Sequence, residues 1–292
     1  MDTYFYTDAA TQHYGGLLTA IARLDVQDVE KRLDEHHDAF QKRDGAIHVG
    51  GFSKNTLHAL LQIIIPDKQP QRWFQIMDLL LDNGASLSAR ETYNDSALLS
   101  IFRRGDMRVL EHLETHPKFI DAVHMPSGGG GTMLHQVLWR DMWKRCMGGV
   151  SFYPLSDVVE LLLRCGVPAR DLTSGAHKPT DVMDLAFFAL GTQPYWAKPS
   201  STEKACLALL DAGGESKPWF AWIALLENHV ELFGRLAKDL NGKMSADQVM
   251  DAIRATYKNP EQLACFEGSF IQALQPIKNG PRLASSASKL RL

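Results

Sequence analysis

The sequence predicts an all-α fold made of helix pairs that repeat along the chain. The first observation is a set of three similar segments, residues 77–86, 159–168 and 207–214, each a leucine-rich run of helix formers that stops at glycine. Glycine is favoured directly after a helix because the chain there enters the left-handed region. The second observation is that a shorter amphipathic segment precedes each of these runs, which indicates a two-helix unit.

The same unit is detectable six times. With Leu17, Leu57, Leu98, Leu134, Met183 and Phe220 as equivalent positions, the steps are 40, 41, 36, 49 and 37 residues. A unit of about 33 to 36 residues with insertions explains these steps. Because a helix pair of this length cannot bury its leucines alone, neighbouring units are expected to stack. The six predicted pairs occupy residues 16–33, 55–86, 95–113, 131–166, 181–213 and 219–236.

Three segments carry a resemblance to a known repeat. They are Thr132-Met133-Leu134-His135 before a first helix, Gly105-Asp106 before a second helix, and Leu80-Leu81-Asp82-Asn83-Gly84-Ala85 at a helix end. Over residues 16–236 the chain resembles the ankyrin repeat, although the proline of the Thr-Pro-Leu-His motif is absent from every unit. The resemblance implies an ankyrin-like α-solenoid with β-turn fingers. It also implies a structural hydrogen-bonding role for His58 and His135.

Four regions are expected along the chain. Residues 1–15 are predicted to cover the N-terminal end of the array, residues 16–240 to form the repeats, and residues 241–275 to form a helical C-terminal cap, because Ser245 is a suitable N-cap for one amphipathic helix and residues 261–274 read as another. From Pro276 onward the chain has basic residues and no acidic ones, so residues 276–292 are expected to be a mobile basic tail.

Aromatic residues concentrate in three insertions, which fall between the two helices of the second, fourth and fifth units at 65–73, 139–154 and 191–199. Large aromatic side chains often anchor protein interfaces, so these residues are candidate partner contacts. The alternative is that they pack the longer loops onto the helices. The loops between units are polar, and they are candidate fingers or simply solvated edges. The candidate partner-binding residues are Trp73, Trp139, Trp143, Phe152, Tyr153, Tyr195 and Trp196 in the insertions, and Arg90 and Tyr93 in one finger.

No catalytic, cofactor or metal site is predicted. The glycine run at 128–131 lacks the Lys-Ser/Thr of a phosphate-binding loop, and His112 and His116 lack the glutamate position of a zinc-protease helix. Adjacent His36 and His37 are better explained as exposed loop residues than as metal ligands. The four cysteines form no CxxC pair, and we expect them to be buried reduced thiols.

Composition limits the partners that can be expected. The chain is 45% hydrophobic and 22% charged with a net charge of −3, which disfavours nucleic-acid binding, and no membrane partner is expected. A cytoplasmic location is the expectation, since no signal peptide is evident. The leading hypothesis is a non-enzymatic module that binds one protein partner, either as an adaptor or as an inhibitor of the immunity or antitoxin type. The alternative is an enzyme or effector with its activity in the C-terminal segment or in the 139–154 insertion.

Overall fold

The computed structural model describes residues 15–35, 46–49, 52–88, 96–125, 131–146, 155–170, 181–191 and 200–274. The regular secondary structure of these residues is helical apart from one short antiparallel strand pair, so the predicted all-α class is confirmed. The chain divides into two compact units, Met1–Met125 and Pro126–Leu292. Within the described ranges, no helix is both long and apolar enough to cross a membrane.

The first compact unit holds three of the six predicted helix pairs and one further helix. Its elements are α1 (Gly15–Arg23), α2 (Val26–Glu35), β1 (Ala46–Val49), β2 (Phe52–Asn55), α3 (Thr56–Leu61), α4 (Pro70–Asp82), α5 (Ala97–Arg104), α6 (Met107–Leu113) and α7 (Pro117–His124). The strands pair antiparallel, with Ala46 opposite Asn55 and Val49 opposite Phe52.

The second compact unit holds the other three predicted pairs and the two helices expected near the C-terminus. Its elements are α8 (Met133–Cys146), α9 (Leu155–Arg164), α10 (Val182–Gly191), α11 (Ser200–Asp211), α12 (Pro218–Leu226), α13 (Val230–Asn241), α14 (Ala246–Thr256) and α15 (Pro260–Leu274).

The helices of each compact unit pack in two rows. In the first, α1 packs on α3 and α3 on α5, while α2 packs on α4. In the second, α8, α10, α12 and α14 pack in succession, and so do α9, α11, α13 and α15. First helices therefore contact first helices and second helices contact second helices. Each pair buries the apolar face of the next, which is how short helices obtain a core.

A common helix end recurs through both compact units. The amide of Ala85 donates to the carbonyl of Leu80 and the amide of Gly84 to that of Leu81, which is a Schellman motif. The residue after the cap then has positive φ, +108° at Gly84. The predicted glycine stops are thereby confirmed. The same two bonds end α9 at Gly166, α11 at Gly213, α12 at Asn228 and α1 at Leu24.

The C-terminal helices continue the rows. Ser245 caps α14: its hydroxyl accepts from the Gln248 amide at 3.2 Å, and the Gln248 side chain accepts from the Ser245 amide at 2.9 Å. This capping box confirms the predicted N-cap. Because α14 packs on α12 and α15 on α13, this pair is placed as one more unit of the stack, with Phe266 and Phe270 buried.

Three local predictions were wrong. The insertion expected from residue 139 begins inside α8, which continues to Cys146, and residues 70–73 form the first turn of α4. Residues 117–124 lie between the third and fourth predicted pairs, where a polar loop was expected, but they form α7, because Pro117 starts a new helix and Phe119 and Val123 are buried. The strands β1 and β2 were also not predicted.

Candidate protein-binding surface

Helix α8 begins with a local hydrogen-bond network. The amide of Thr132 donates to Nδ1 of His135 at 3.1 Å, and the Thr132 hydroxyl lies 2.9 Å from the same nitrogen. The hydrogen-bonding role expected for His135 is therefore present. Leu134 and Leu138 point into the core, whereas the Trp139 side chain is 53% exposed.

Helix α10 is buried almost all round. Its start is fixed by Asp181, whose carboxylate accepts from the Met183 amide at 3.1 Å. Phe187 faces the core and stacks on Phe220 of α12 with ring centroids 4.1 Å apart and planes 8° apart. The next residue, Phe188, lies about 100° further round the helix and is 53% exposed.

Trp139 and Phe188 form what we call the aromatic pair. Each lies five residues after the equivalent positions Leu134 and Met183, so both occupy one repeat position on two helices that pack together. Single exposed apolar residues are common on protein surfaces. Two large aromatics at the same position of adjacent units, each half exposed, are the composition typical of a protein interface.

Polar contacts support α10 beside the pair. The Lys217 ammonium lies 2.6 Å from the Asp184 carboxylate and 3.9 Å from that of Asp181. It also lies over the Phe220 ring, 5.5 Å from its centroid. These contacts join the start of α12 to the first turn of α10, the helix that carries Phe188.

Of the residues predicted to contact a partner, one is exposed enough to do so and one is buried. Trp139 is exposed, as a contact residue requires. Trp73 is fully buried: its indole N–H donates to the Leu60 carbonyl at 3.2 Å, and its ring packs edge-on against Phe74. Trp73 is therefore a core residue that joins α4 to α3, and the packing alternative holds there.

The remaining predicted contacts stay predictions. Trp143 lies in α8, but its side chain is outside the described residues, and so are the whole of Arg90, Tyr93, Phe152, Tyr153, Tyr195 and Trp196.

Phe188 is the contact candidate that sequence reasoning missed. The signal was nevertheless present, because Asp184 and Gly191 stand four residues before it and three after it, on one face of the helix. A carboxylate and a glycine on that face mark it as the exposed one, and Phe188 lies between them.

The first compact unit has a small cleft at the end of α4. It has a volume of about 200 Å³, and the Lys118 ammonium donates to the Leu81 carbonyl beside it. Cofactor sites are usually larger, about 300 to 1,000 Å³. Its lining residues are Gly84, Ala85, Ser86, Leu87, Ser88, Lys118, Asp121, Ala122 and Met125.

The histidines of α6 and its end face separate carboxylates on α4. Nε2 of His112 lies 2.7 Å from Oδ1 of Asp78, and Nε2 of His116 lies 3.7 Å from Oδ1 of Asp82. These pairs join two successive second helices. Across the residues that the structure describes, no group of three or more His, Cys, Asp or Glu side chains is arranged to hold a metal.

The cysteines differ in environment. Cys206 is fully buried, and burial raises the pKa of its thiol far above the usual range, so the group stays protonated. Cys165 and Cys265 are partly exposed. The expectation of buried thiols is confirmed for Cys206 and wrong for these two, while the Cys146 side chain lies outside the described residues.

The carboxylate of Asp239 has a shifted pKa. Burial works to raise the pKa of Asp239, but hydrogen bonds from Lys243 at 2.7 Å and from the Ser216 hydroxyl outweigh it, so the pKa lies below the usual 3.8. Asp239 joins α13 to the start of α12. Its contacts are structural.

Comparisons with protein-family models and with curated proteins gave no match.

Proposed function

We propose that the chain is a non-enzymatic, ankyrin-like interaction module that binds one protein partner through a surface centred on the aromatic pair. In this role it acts in the cytoplasm as an adaptor or as an inhibitor of the immunity or antitoxin type, without a cofactor. The observation that carries the proposal is the half-exposed Trp139 and Phe188 at equivalent positions of two stacked first helices.

The free energy available from burying the two exposed rings supports an anchoring role. Fully burying a large apolar side chain contributes about 1.5 to 3 kcal/mol, so covering the exposed half of each ring contributes on the order of 1 kcal/mol. Rings already half buried and held by helix packing lose little side-chain entropy on binding. Together they supply the small rigid centre around which protein interfaces are usually built.

An affinity purification with matched variants tests the proposal. The tagged full-length chain is compared with the Trp139→Ala, Phe188→Ala double variant and with Ile271→Ala, which removes an equally exposed apolar side chain on α15. We expect one stoichiometric protein to co-purify with the parent and with Ile271→Ala, and to be lost from the double variant at unchanged thermal stability. Recovery of no stoichiometric protein by the parent chain would remove the support for a binding function.

Nothing in the described part of the C-terminal segment favours the enzyme alternative. Ser245 serves as a helix cap, and Arg254 pairs with Asp251 at 3.2 Å and lies 3.6 Å from Glu267. These polar groups act within and between α14 and α15.

A further inference from the structure

We infer that Asn241 is a site of spontaneous deamidation, and that the fold protects Asn83, which is also followed by glycine, from the same reaction. The inference is independent of the proposed binding function. Its basis is the difference between two Asn-Gly pairs, one on an exposed helix end and one in a packed turn.

Deamidation at Asn-Gly needs only the chain and water. The backbone nitrogen of the glycine attacks the asparagine Cγ atom, a C–N bond forms, and the side-chain Cγ–Nδ2 bond breaks. The amide group leaves as ammonia with the proton of the attacking nitrogen, and a cyclic succinimide remains. Water then opens the ring at either carbonyl and gives aspartate or isoaspartate. Glycine favours the attack because it has no Cβ beside the nitrogen.

The sequence contains three Asn-Gly pairs, at 83–84, 241–242 and 279–280, and the structure describes the first two. Asn83 follows the last residue of α4, and Asn241 is the last residue of α13. A helical backbone holds the attacking nitrogen away from Cγ, so the helix end has to open before either pair reacts. Local opening requires the least free energy where few contacts hold the backbone.

The end of α4 is held by side-chain and backbone hydrogen bonds. The Asn83 carboxamide donates to the Leu79 carbonyl at 2.9 Å. The Gly84 amide, which contains the attacking nitrogen, donates to the Leu81 carbonyl at 3.0 Å. The next residue, Ala85, is buried. The attack on Asn83 therefore requires the loss of both hydrogen bonds and the movement of a core residue.

The end of α13 is held less firmly. Asn241 and Gly242 are both exposed, and the Gly242 amide donates to the Lys238 carbonyl at 3.2 Å. Among the described residues, the Asn241 carboxamide has no hydrogen-bond partner. The attack on Asn241 therefore breaks no side-chain hydrogen bond of the asparagine, and its Cγ atom is open to solvent.

Peptide mapping of the full-length chain tests the inference. The folded parent is incubated in warm, mildly alkaline buffer, and mass spectrometry follows aspartate and isoaspartate separately at residues 83 and 241. The parent unfolded in guanidinium is the control for the fold. The variant Gly242→Ala is the control for the chemistry, since its Cβ meets only the carbonyls of Asp239 at 3.5 Å and Lys238 at 3.8 Å, which are ordinary contact distances.

In the folded parent we expect conversion at 241 to be at least about fivefold faster than at 83, as for one additional net hydrogen bond. Unfolding should bring the two rates together, and Gly242→Ala should slow the reaction at 241 and leave that at 83 unchanged. Equal rates in the folded chain overturn the inference, and a difference that persists after unfolding overturns the protection of Asn83. An unchanged rate at 241 in Gly242→Ala overturns the attack by the Gly242 nitrogen.

Discussion

Single residues at the helix ends decide how each unit turns. Gly84, Gly105, Gly166 and Gly213 have positive φ, which glycine adopts without a penalty. Leu24 and Asn228 adopt the same conformation, with φ of +53° and +62°. The turn geometry is therefore kept even where the sequence lacks glycine.

Two glycines of the second compact unit allow the same substitution to be tested with opposite outcomes. A Cβ at Gly213 or at Gly234 meets no atom within 4 Å, but Gly213 has φ of +92° and Gly234 lies inside α13. Gly213→Ala is expected to lower the free energy of unfolding by about 1 kcal/mol. Gly234→Ala is expected to raise it by about 0.5 to 1 kcal/mol. Urea denaturation measures both, and two changes of the same sign would contradict the explanation.

Asp239 predicts a specific dependence of stability on pH. A carboxyl whose folded pKa lies below its unfolded value of 3.8 stabilises the fold above that value, and the contribution disappears as pH falls through the folded pKa. The stability difference between the parent and Asp239→Asn should therefore shrink between about pH 5 and about pH 2. Denaturation curves measure this difference. If the contacts from Lys243 and Ser216 were unimportant, the free energies of unfolding of the two proteins would change in parallel over this pH range.

Residue exposure was the least predictable property. Trp73 and Trp139 both seemed to lie in loops by sequence, yet one is in the core of α4 and the other is half exposed on α8. The difference arises because Pro70 starts its helix three residues before Trp73, which sets the helical phase of the ring. The helical phase of a residue can be predicted only when the first residue of its helix is known. An insertion of unknown length conceals that first residue.

At the scale of elements, the sequence predicts the helix pairs well. Apolar spacing and glycine stops locate both helices of all six units, because both signals are local. The errors lie where helices extend into the assumed insertions, as α8 does. The hairpin β1–β2 had a usable signal, since Gly50-Gly51 stands between two short segments and a two-glycine turn favours a hairpin.

Arg104 of α5 makes one of the contacts between the second and third repeat units. Its guanidinium donates to the Leu61 carbonyl, and to the Ile63 carbonyl at 2.9 Å, at the C-terminal end of α3, and it lies 5.7 Å from the centroid of the Trp73 ring. Desolvation lowers the pKa of this arginine, as expected for a group enclosed between units. Carbonyls at a helix end need such donors when the end is partly buried.

Replacing Arg104 should therefore destabilise the first compact unit. Arg104→Ala removes donors from two carbonyls and is expected to cost about 2 kcal/mol. Arg104→Lys should recover only part of this, because an ammonium lacks the planar fork that reaches both oxygens. Arg108→Ala is the control, since Arg108 is half exposed and pairs mainly with Asp106. Arg104→Ala should therefore be the least stable of the three variants, Arg104→Lys intermediate and Arg108→Ala the most stable. A different order in denaturant unfolding would contradict this role of Arg104.

At the scale of the whole molecule, stacking is what the repeat pattern predicts and what each compact unit shows. First helices pack on first helices, so a repeat position that points outward in one unit does so in the next. This regularity places Trp139 and Phe188 at one repeat position of two packed helices although 49 residues separate them in the sequence. Sequence patterns cannot name the partner, because the chemistry of the pair suits many apolar surfaces.

The most direct test of the central claim is the dissociation constant of the co-purified partner, measured by calorimetry for the parent, Ile271→Ala and the Trp139→Ala, Phe188→Ala double variant. We expect Ile271→Ala to match the parent and the double variant to bind at least about tenfold more weakly, equivalent to about 1.4 kcal/mol. Equal dissociation constants for all three proteins, each with an unchanged unfolding midpoint, would contradict the claim that the aromatic pair forms the binding surface.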